Sequence, residues 1–367
     1  MLLKCIRRDI MASMLVSSSE QYSGKSSLCL GLGVLLKERG YKVGYMKPIG
    51  NLLIDVNGSL ADEDAQGIRK LLGLQDDMSS ITPILLTENL TDDALMGVEK
   101  GLDSRLKEAY EKVSKGRDVV LLEGAGGIGG GAMYNLSDPE VATKLDTKIL
   151  LITRYDSAQA VDRILCDLRI IQNTEILAGM ILNEVSPDKL EQVSHLVVPF
   201  LEKKGIKVFG VIPEDHMLRS VSVAEIVEDL NAEVLVGASH MEDLVEHYLV
   251  GAMEVGSAIK YFRRMPNAAV ITGGDRSDIQ MAAIEAKVKC LVLTGNLRPS
   301  GAVLGSAEEA NIPVILVRGD TMSTIEKMEN LIGHARIKQE VKIKRIVELI
   351  KEYVDVDGLI TEMGLGK

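Results

Sequence analysis

An α/β fold is what this sequence predicts: a parallel sheet with helices on both faces, followed by a second, smaller α/β domain. Three observations carry the prediction. Between Met14 and about Pro213, short apolar runs alternate with stretches whose apolar residues recur every three or four positions. Alternation of strand and helix builds parallel sheets covered on both faces. The first apolar run leads into Ser23-Gly24-Lys25-Ser26-Ser27 and a helical pattern, the strand–loop–helix context of a phosphate-binding loop. After Pro213 the pattern falters through a charged segment, and a second set of strands and helices begins near Glu233.

Each element follows from its own pattern. In the first domain Lys42–Met46, Asp118–Leu122, Lys148–Thr153, Leu177–Leu182 and Lys207–Ile212 read as strands. Ser26–Arg39, Ala61–Leu72, Leu102–Lys115, Asp156–Gln172 and Asp188–Lys204 read as helices. In the second, the expected strands are Ala268–Ile271, Cys290–Leu293 and Val314–Val317. The expected helices there are Met241–Val250, Ser277–Ala286, Gly301–Ala310 and Thr321–Leu331. The last stretch, Lys338–Val354, reads as an amphipathic helix whose Lys338, Lys342, Lys344 and Arg345 form a solvated face. The domains are accordingly drawn at 11–218, 219–337 and 338–367.

Composition narrows the function. A chain of 367 residues suits two or three domains. Forty-two basic against fifty-three acidic residues give a net charge of −11, which repels nucleic acid, and three Phe with no Trp leave few platforms for bases. No apolar run approaches a bilayer span, and the N-terminus lacks a signal-peptide pattern, so membrane association is not expected and a cytoplasmic location is. Met11 and Met14 offer later starts, so residues 1–10 read as a leader or an artefact of start choice. Cys5, Cys29, Cys166 and Cys290 are widely spaced and read as buried thiols, and His240 and His247 as the solvated face of an acidic helix rather than a zinc site.

In parallel sheets ligands sit beyond the carboxyl ends of the strands, so residues just after each strand matter most. Lys25 is placed to reach outer phosphates, and Ser26 to meet a divalent cation. The loop pattern wants glycine where Ser19 stands. Lys47 emerges from the second strand before Pro48. Glu123 ends the third and precedes a glycine-rich loop, a position suited to a metal or water-orienting carboxylate. One of Asp62, Glu63 and Asp64 would cap the following helix. Asn183 and Pro213 end later strands, and a carboxamide there can read an adenine edge.

Taken in order, Ser-Gly-Lys-Ser, Lys-Pro-Ile, Glu-Asp-Ala, Glu-Gly-Ala-Gly-Gly, Met-Ile-Leu-Asn and Val-Phe-Gly-Val-Ile-Pro resemble the dethiobiotin synthetase and cobyrinic acid a,c-diamide synthase family of P-loop proteins. The resemblance covers residues 14 to about 215, and places a P-loop NTPase-like sheet there. The family's loop is one residue longer, which aligns Ser18 with the missing first glycine. The resemblance implies ATP binding through Ser23, Gly24, Lys25, Ser26 and Ser27, and Mg²⁺ at Ser26, Asp64 and Glu123. It further implies a substrate or phosphate contact at Lys47, adenine contacts near Asn183 and Pro213, and a homodimer. Gly50 and Asn51 depart from the synthetase's hydroxyl-bearing substrate segment, and Glu20 is the nearest match to its loop acid. Cys290 opens an apolar run rather than a sharp turn, so glutamine-dependent amidation is not expected.

Val270-Ile271-Thr272-Gly273-Gly274-Asp275-Arg276-Ser277 resembles the signature of the DRTGG domain. Gly273–Arg276 reads either as a tight structural turn with Asp275 capping the next helix, or as a contact for an effector, partner or second subunit. The pair of domains resembles the N-terminal, noncatalytic half of long phosphate acetyltransferases. On that resemblance the transacetylase domain is absent and acetyl transfer is not expected. Two functions follow: a Mg·ATP-binding regulatory or sensor protein, or an ATP-dependent ligase that closes a C–N bond through an acyl or carbamoyl phosphate.

Overall fold

The computed structural model describes residues 11–56, 58–98, 100–333 and 339–365. Residues 1–10, with Cys5 and the leader reading of that segment, lie outside that range, as does Lys338. The chain forms two compact units, 1–214 with 338–367, and 215–337.

The main sheet of the first unit has six strands: β1 (Ala12–Ser18), β2 (Val43–Met46), β3 (Val119–Glu123), β4 (Lys148–Arg154), β5 (Leu177–Val185) and β6 (Val208–Pro213). They order as β6-β5-β4-β1-β3-β2, and every neighbouring pair is parallel. Because β3 and β4 flank β1 on opposite sides, the chain reverses its winding there. The loop after β1 therefore opens at the sheet's switch point, where α/β proteins bind ligands. The strands read as continuous apolar runs because both faces are covered. Leu15, Val120, Leu122, Leu106 and Val113 share one core, and Leu151, Met180, Leu182 and Ile164 share another.

The C-terminal segment completes this unit. Its helix, Glu340–Tyr353, buries Ile346, Val347, Leu349 and Ile350. Gly31 is the seat: a Cβ there would lie 2.3 Å from Ile350 Cδ1. Beyond the helix Val354 bridges to Gly210, and Asp355 N–H donates to Phe209 O at 2.7 Å. The basic cluster is not wholly a solvated face: Lys342 is buried, whereas Lys344 and Arg345 pair with Glu340 and Glu348.

In the second unit β7 (Glu233–Val236), β8 (His247–Val250), β9 (Ala268–Gly273), β10 (Cys290–Thr294) and β11 (Val314–Leu316) order as β7-β11-β10-β9-β8. Within this five-stranded sheet β7 runs antiparallel to its neighbour and the other pairs are parallel. Helices Ser277–Glu285, Gly301–Glu309 and Thr321–Gly333 match their expected spans, and Val255–Phe262 is an additional one.

Four expectations are corrected. Met241–Val250 is not a helix: Leu244–Val245 and His247–Val250 are strands, because pairing of His247–Val250 with Ala268–Ile271 overrides a weak helical spacing. His247 therefore lies on a strand. The helix expected over Ala61–Leu72 begins at Glu63, since Ser59–Asp62 pairs with Leu53–Val56. Asp188–Lys204 is broken by a π-turn at Val193–Val197, ahead of Pro199, which has no N–H to donate. Cys166 is exposed, whereas Cys29 and Cys290 are buried. Among the described residues, no helix is long and apolar enough to cross a membrane.

Candidate functional site

The phosphate loop runs from Ser18 to the helix Lys25–Glu38, whose N-cap, Gly24, adopts φ 97°. Left-handed backbone favours glycine. Ser18 and Ser19, where a glycine was expected, are absent from the positive-φ residues, while Tyr22 has φ 57°. The strained turn thus falls three residues later than the motif suggests, and the serines use their side chains instead. Ser19 Oγ pairs with Thr153 Oγ1 at 2.7 Å. Ser18 Oγ lies 2.7 Å from Gly126 O and accepts from Lys25 Nζ at 2.7 Å. Lys25 Nζ also donates to Gly126 O at 2.6 Å, joining the phosphate loop to the glycine-rich loop after β3. Burial lowers the Lys25 pKa, against the opposing pull of Glu123 and Asp138.

Glu123, at the end of β3, is buried, and both of its oxygens are held. Ser26 Oγ donates to Oε1 and Tyr45 OH to Oε2, each at 2.7 Å. Burial raises the Glu123 pKa, while Lys47 and the two hydroxyls oppose that rise. Tyr45 was not legible as a site residue, because it sits inside the apolar run of β2. Burial and the neighbouring carboxylate push its pKa well above the ordinary phenol, so it remains a donor.

Lys47 is also buried, with Nζ 2.8 Å from Asp62 Oδ1 and 3.1 Å from Asp64 Oδ2. Burial alone would depress its pKa, but Glu123, Asp64 and Asp62 hold it above the ordinary lysine value. Of the three acids, Asp62 is the cap, accepting from Ala65 N–H, while Asp64 is half exposed at the site's edge. Gly50 is required by packing: a Cβ would lie 2.7–2.8 Å from Thr82, Asp62 and Leu85 side chains. Asn51 Nδ2 donates to Ala125 O at 2.7 Å, closing the wall of the glycine-rich loop.

Ser26, Glu123 and Asp64 together offer hard oxygen donors. No group of three or more His, Cys, Asp or Glu that could hold a metal occurs among the described residues. A magnesium ion needs none, since it keeps several waters and uses one or two carboxylates with phosphate oxygens. The donor set fits that ion beside a bound phosphate chain.

Asp138 is a residue the motifs missed. Although Ser137 and Glu140 form a capping box that marks the start of its helix, nothing in the sequence ties it to β1. Its carboxyl accepts from Ser17 Oγ at 2.5 Å, and a Cβ on Gly124 would lie 2.3 Å from Oδ2. Burial pushes its pKa up to about 7. The folded protein therefore holds a proton that the unfolded chain releases near pH 4. Stability carried by this group is present below pH 4, falls as pH rises to about 7, and is flat above. Asp138→Asn is expected to remove that slope and raise stability at pH 8 by about 1–3 kcal/mol. Urea unfolding of both proteins between pH 5 and 8 checks it; parallel slopes would contradict it.

Asn183 does not end its strand, since β5 continues to Val185. Its Nδ2 donates to Ser23 O at 2.9 Å, and a Cβ on Gly24 would lie 2.4 Å from it. The amide braces the phosphate loop. Pro213 ends β6, in register with Val185. In the second unit Asp275 does not cap the next helix; Arg276 is the N-cap and makes no side-chain cap bond. A Cβ on Gly274 would lie 1.7 Å from Leu297 O, and Gly274 N–H, Gly295 N–H and Asn296 N–H tie the strand ends together. That geometry makes Gly273–Arg276 a tight structural turn.

Comparison with known proteins agrees with this architecture. Residues 12–222 match the model of an AAA-domain family and residues 225–331 that of the DRTGG domain. A phosphate acetyltransferase of Synechocystis sp. is 27% identical over 95% of this chain and 51% of its own length. An ATP-dependent dethiobiotin synthetase of Methanococcus vannielii is 30% identical over 54% of this chain and 76% of its own. The chain spans about half the length of the phosphate acetyltransferases it matches. Among solved structures, the MinD cell division protein of Aquifex aeolicus is 18% identical, covering 56% of this chain and 83% of its own with a TM-score of 0.34. The chain therefore belongs to the AAA-domain family of P-loop proteins similar to dethiobiotin synthetase, and carries a DRTGG domain after the P-loop domain.

Proposed function

We propose that the first unit binds Mg·ATP and that the DRTGG unit relays its occupancy to a protein partner or a second copy of the chain, in a homodimer or higher oligomer. The observation that carries this reading is the convergence of Lys25, Ser26, Lys47, Asp64 and Glu123 beyond the carboxyl ends of β1, β2 and β3. Gly24, Lys25, Ser26 and Ser27 would cradle the phosphates, Ser26, Asp64 and Glu123 would hold Mg²⁺, and Asn183 and Pro213 would flank the base. The ion's contribution is to neutralise charge on the phosphates. Regulation requires a difference in affinity between two states. Saturating Mg·ATP is expected to slow amide exchange in residues 233–333 or to shift the oligomeric state. If neither changes, the relay is wrong.

A ligase reading is favoured by one specific feature, the buried, charged Lys47 beside the glycine-rich loop. There it would hold a carboxylate or carbamate while a phosphoryl group is transferred to it, before a nitrogen nucleophile displaces phosphate. A panel of carboxylates and diamines that fails to stimulate ADP release would exclude this reading. The proposal does not extend to acetyl transfer.

A further inference from the structure

Beside the phosphate loop, and outside the constellation described above, two arginines meet their acceptors only at long range. Arg154 ends β4, and Arg163 lies on the helix Gln159–Ile171. Arg154 Nε is 3.4 Å and one Arg163 terminal nitrogen 3.7 Å from the same oxygen, Glu20 Oε1. The Arg163 nitrogen is also 3.3 Å from Asp156 Oδ1 and 3.4 Å from Arg154 O. Charge-assisted bonds of this kind normally close to about 2.7–2.9 Å, and each guanidinium carries five donors. Both Nε atoms and Glu20 Oε1 are buried without a hydrogen-bond partner. Buried polar atoms are normally satisfied, and Asp167 Oδ2 is unpartnered as well. Donors and acceptors here therefore do not close on one another, and an acceptor whose oxygens reach both guanidinium groups would satisfy the arginines better than Glu20 does. Both arginine side chains remain about one-third exposed, so a solute can reach them.

Glu20 is suited to yield its place. Its carbonyl accepts from Ser18 and Ser23 hydroxyls at 2.6 and 2.8 Å, which fixes the backbone within the loop while the side chain reaches outward. The remaining charges are Asp156, Asp167, which packs against Ser19 and Arg163, and Lys189, which donates to Asp156 O. Three acids balance the cluster, so moving the Glu20 carboxylate away is what frees the arginines for another anion.

We propose that Arg154 and Arg163 form an oxyanion subsite beside the phosphate loop, taking a phosphoryl or carboxylate group of a second ligand in exchange for Glu20. The site does not depend on nucleotide binding at Lys25. Calorimetric titration of inorganic phosphate, and separately of malonate, into the full chain at low ionic strength tests it. Binding is expected to persist in Lys25→Ala, to weaken about tenfold or more in Arg163→Gln, and to tighten about threefold or more in Glu20→Gln. The gain in Glu20→Gln cannot arise from misfolding. Tighter phosphate than malonate assigns a phosphorylated ligand and the reverse a carboxylate; either outcome supports the subsite. Binding lost in Lys25→Ala but unchanged in Arg163→Gln, or no binding to wild type and Glu20→Gln, overturns it. Such a result would leave the nucleotide reading standing on its own test.

Discussion

Gly274→Ala is expected to destabilise the second unit by about 3 kcal/mol or more. The added Cβ would sit 1.7 Å from Leu297 O and 2.5 Å from Leu297 C. These are backbone atoms, and no rotamer change relieves the clash. Gly274 N–H also bonds Thr294 O, and Gly295 N–H bonds Gly319 O, so moving one turn disturbs its neighbours along the strand ends. Gly305→Ala is the matched control: nothing lies within 4 Å of its added Cβ, in an exposed helix interior. It is expected to stabilise by about 0.5–1 kcal/mol. Chemical unfolding of both variants separates the cases. Equal stability of Gly274→Ala and wild type would mean that the turn tolerates a side chain and is free to open.

Asp62→Asn carries the other large effect. Both carboxylate oxygens of Asp62 are doubly used: Oδ1 accepts from Lys47 Nζ at 2.8 Å and Ala65 N–H at 3.0 Å, and Oδ2 from Asn51 N–H at 3.0 Å and Leu52 N–H at 3.1 Å. An asparagine must turn its NH₂ toward one of these donor pairs in either flip. It also removes a full charge facing Lys47, leaving that ammonium buried against the partly exposed Asp64. Breaking a buried pair on one side costs about 3–5 kcal/mol. The expected result is a fall in unfolding free energy of that order, with loss of the Lys47 placement on which substrate binding would depend. A drop under about 1 kcal/mol would show that water already solvates Lys47.

Much of this was legible in the sequence, and the exceptions share a cause. Lys25 stands out by its Gly-Lys-Ser motif, and Lys47 and Glu123 because each follows an apolar run, with strand ends converging at one edge of a parallel sheet. Asp138 and Tyr45 do not, since one meets Ser17 across 121 positions of sequence and the other hides in an apolar strand. Arg154 and Arg163 belong to different elements, and their side chains meet at Glu20 only once the chain is folded. Asn183 reads in the sequence as an adenine contact at a strand end, and its brace on Ser23 O emerges only from the neighbouring strand's position. The serines at 18 and 19 looked like a defect because the motif fixes residue types and not dihedral angles. Folding places the positive φ at Tyr22 and Gly24 instead. His247–Val250 was misread because an edge strand with half-buried residues has no clean alternation, so only its partner, Ala268–Ile271, defines it.

Both proposed functions require the phosphate loop to hold a nucleotide, and calorimetric titration of Mg·ATP into wild type and Lys25→Ala tests this most directly. Lys25 is the buried cation that would face the phosphates, and its removal leaves Ser18 Oγ and Gly126 O without their donor. Saturable binding to wild type that weakens at least about 100-fold in Lys25→Ala is the predicted result. No binding to wild type, or equal binding to both, would contradict it.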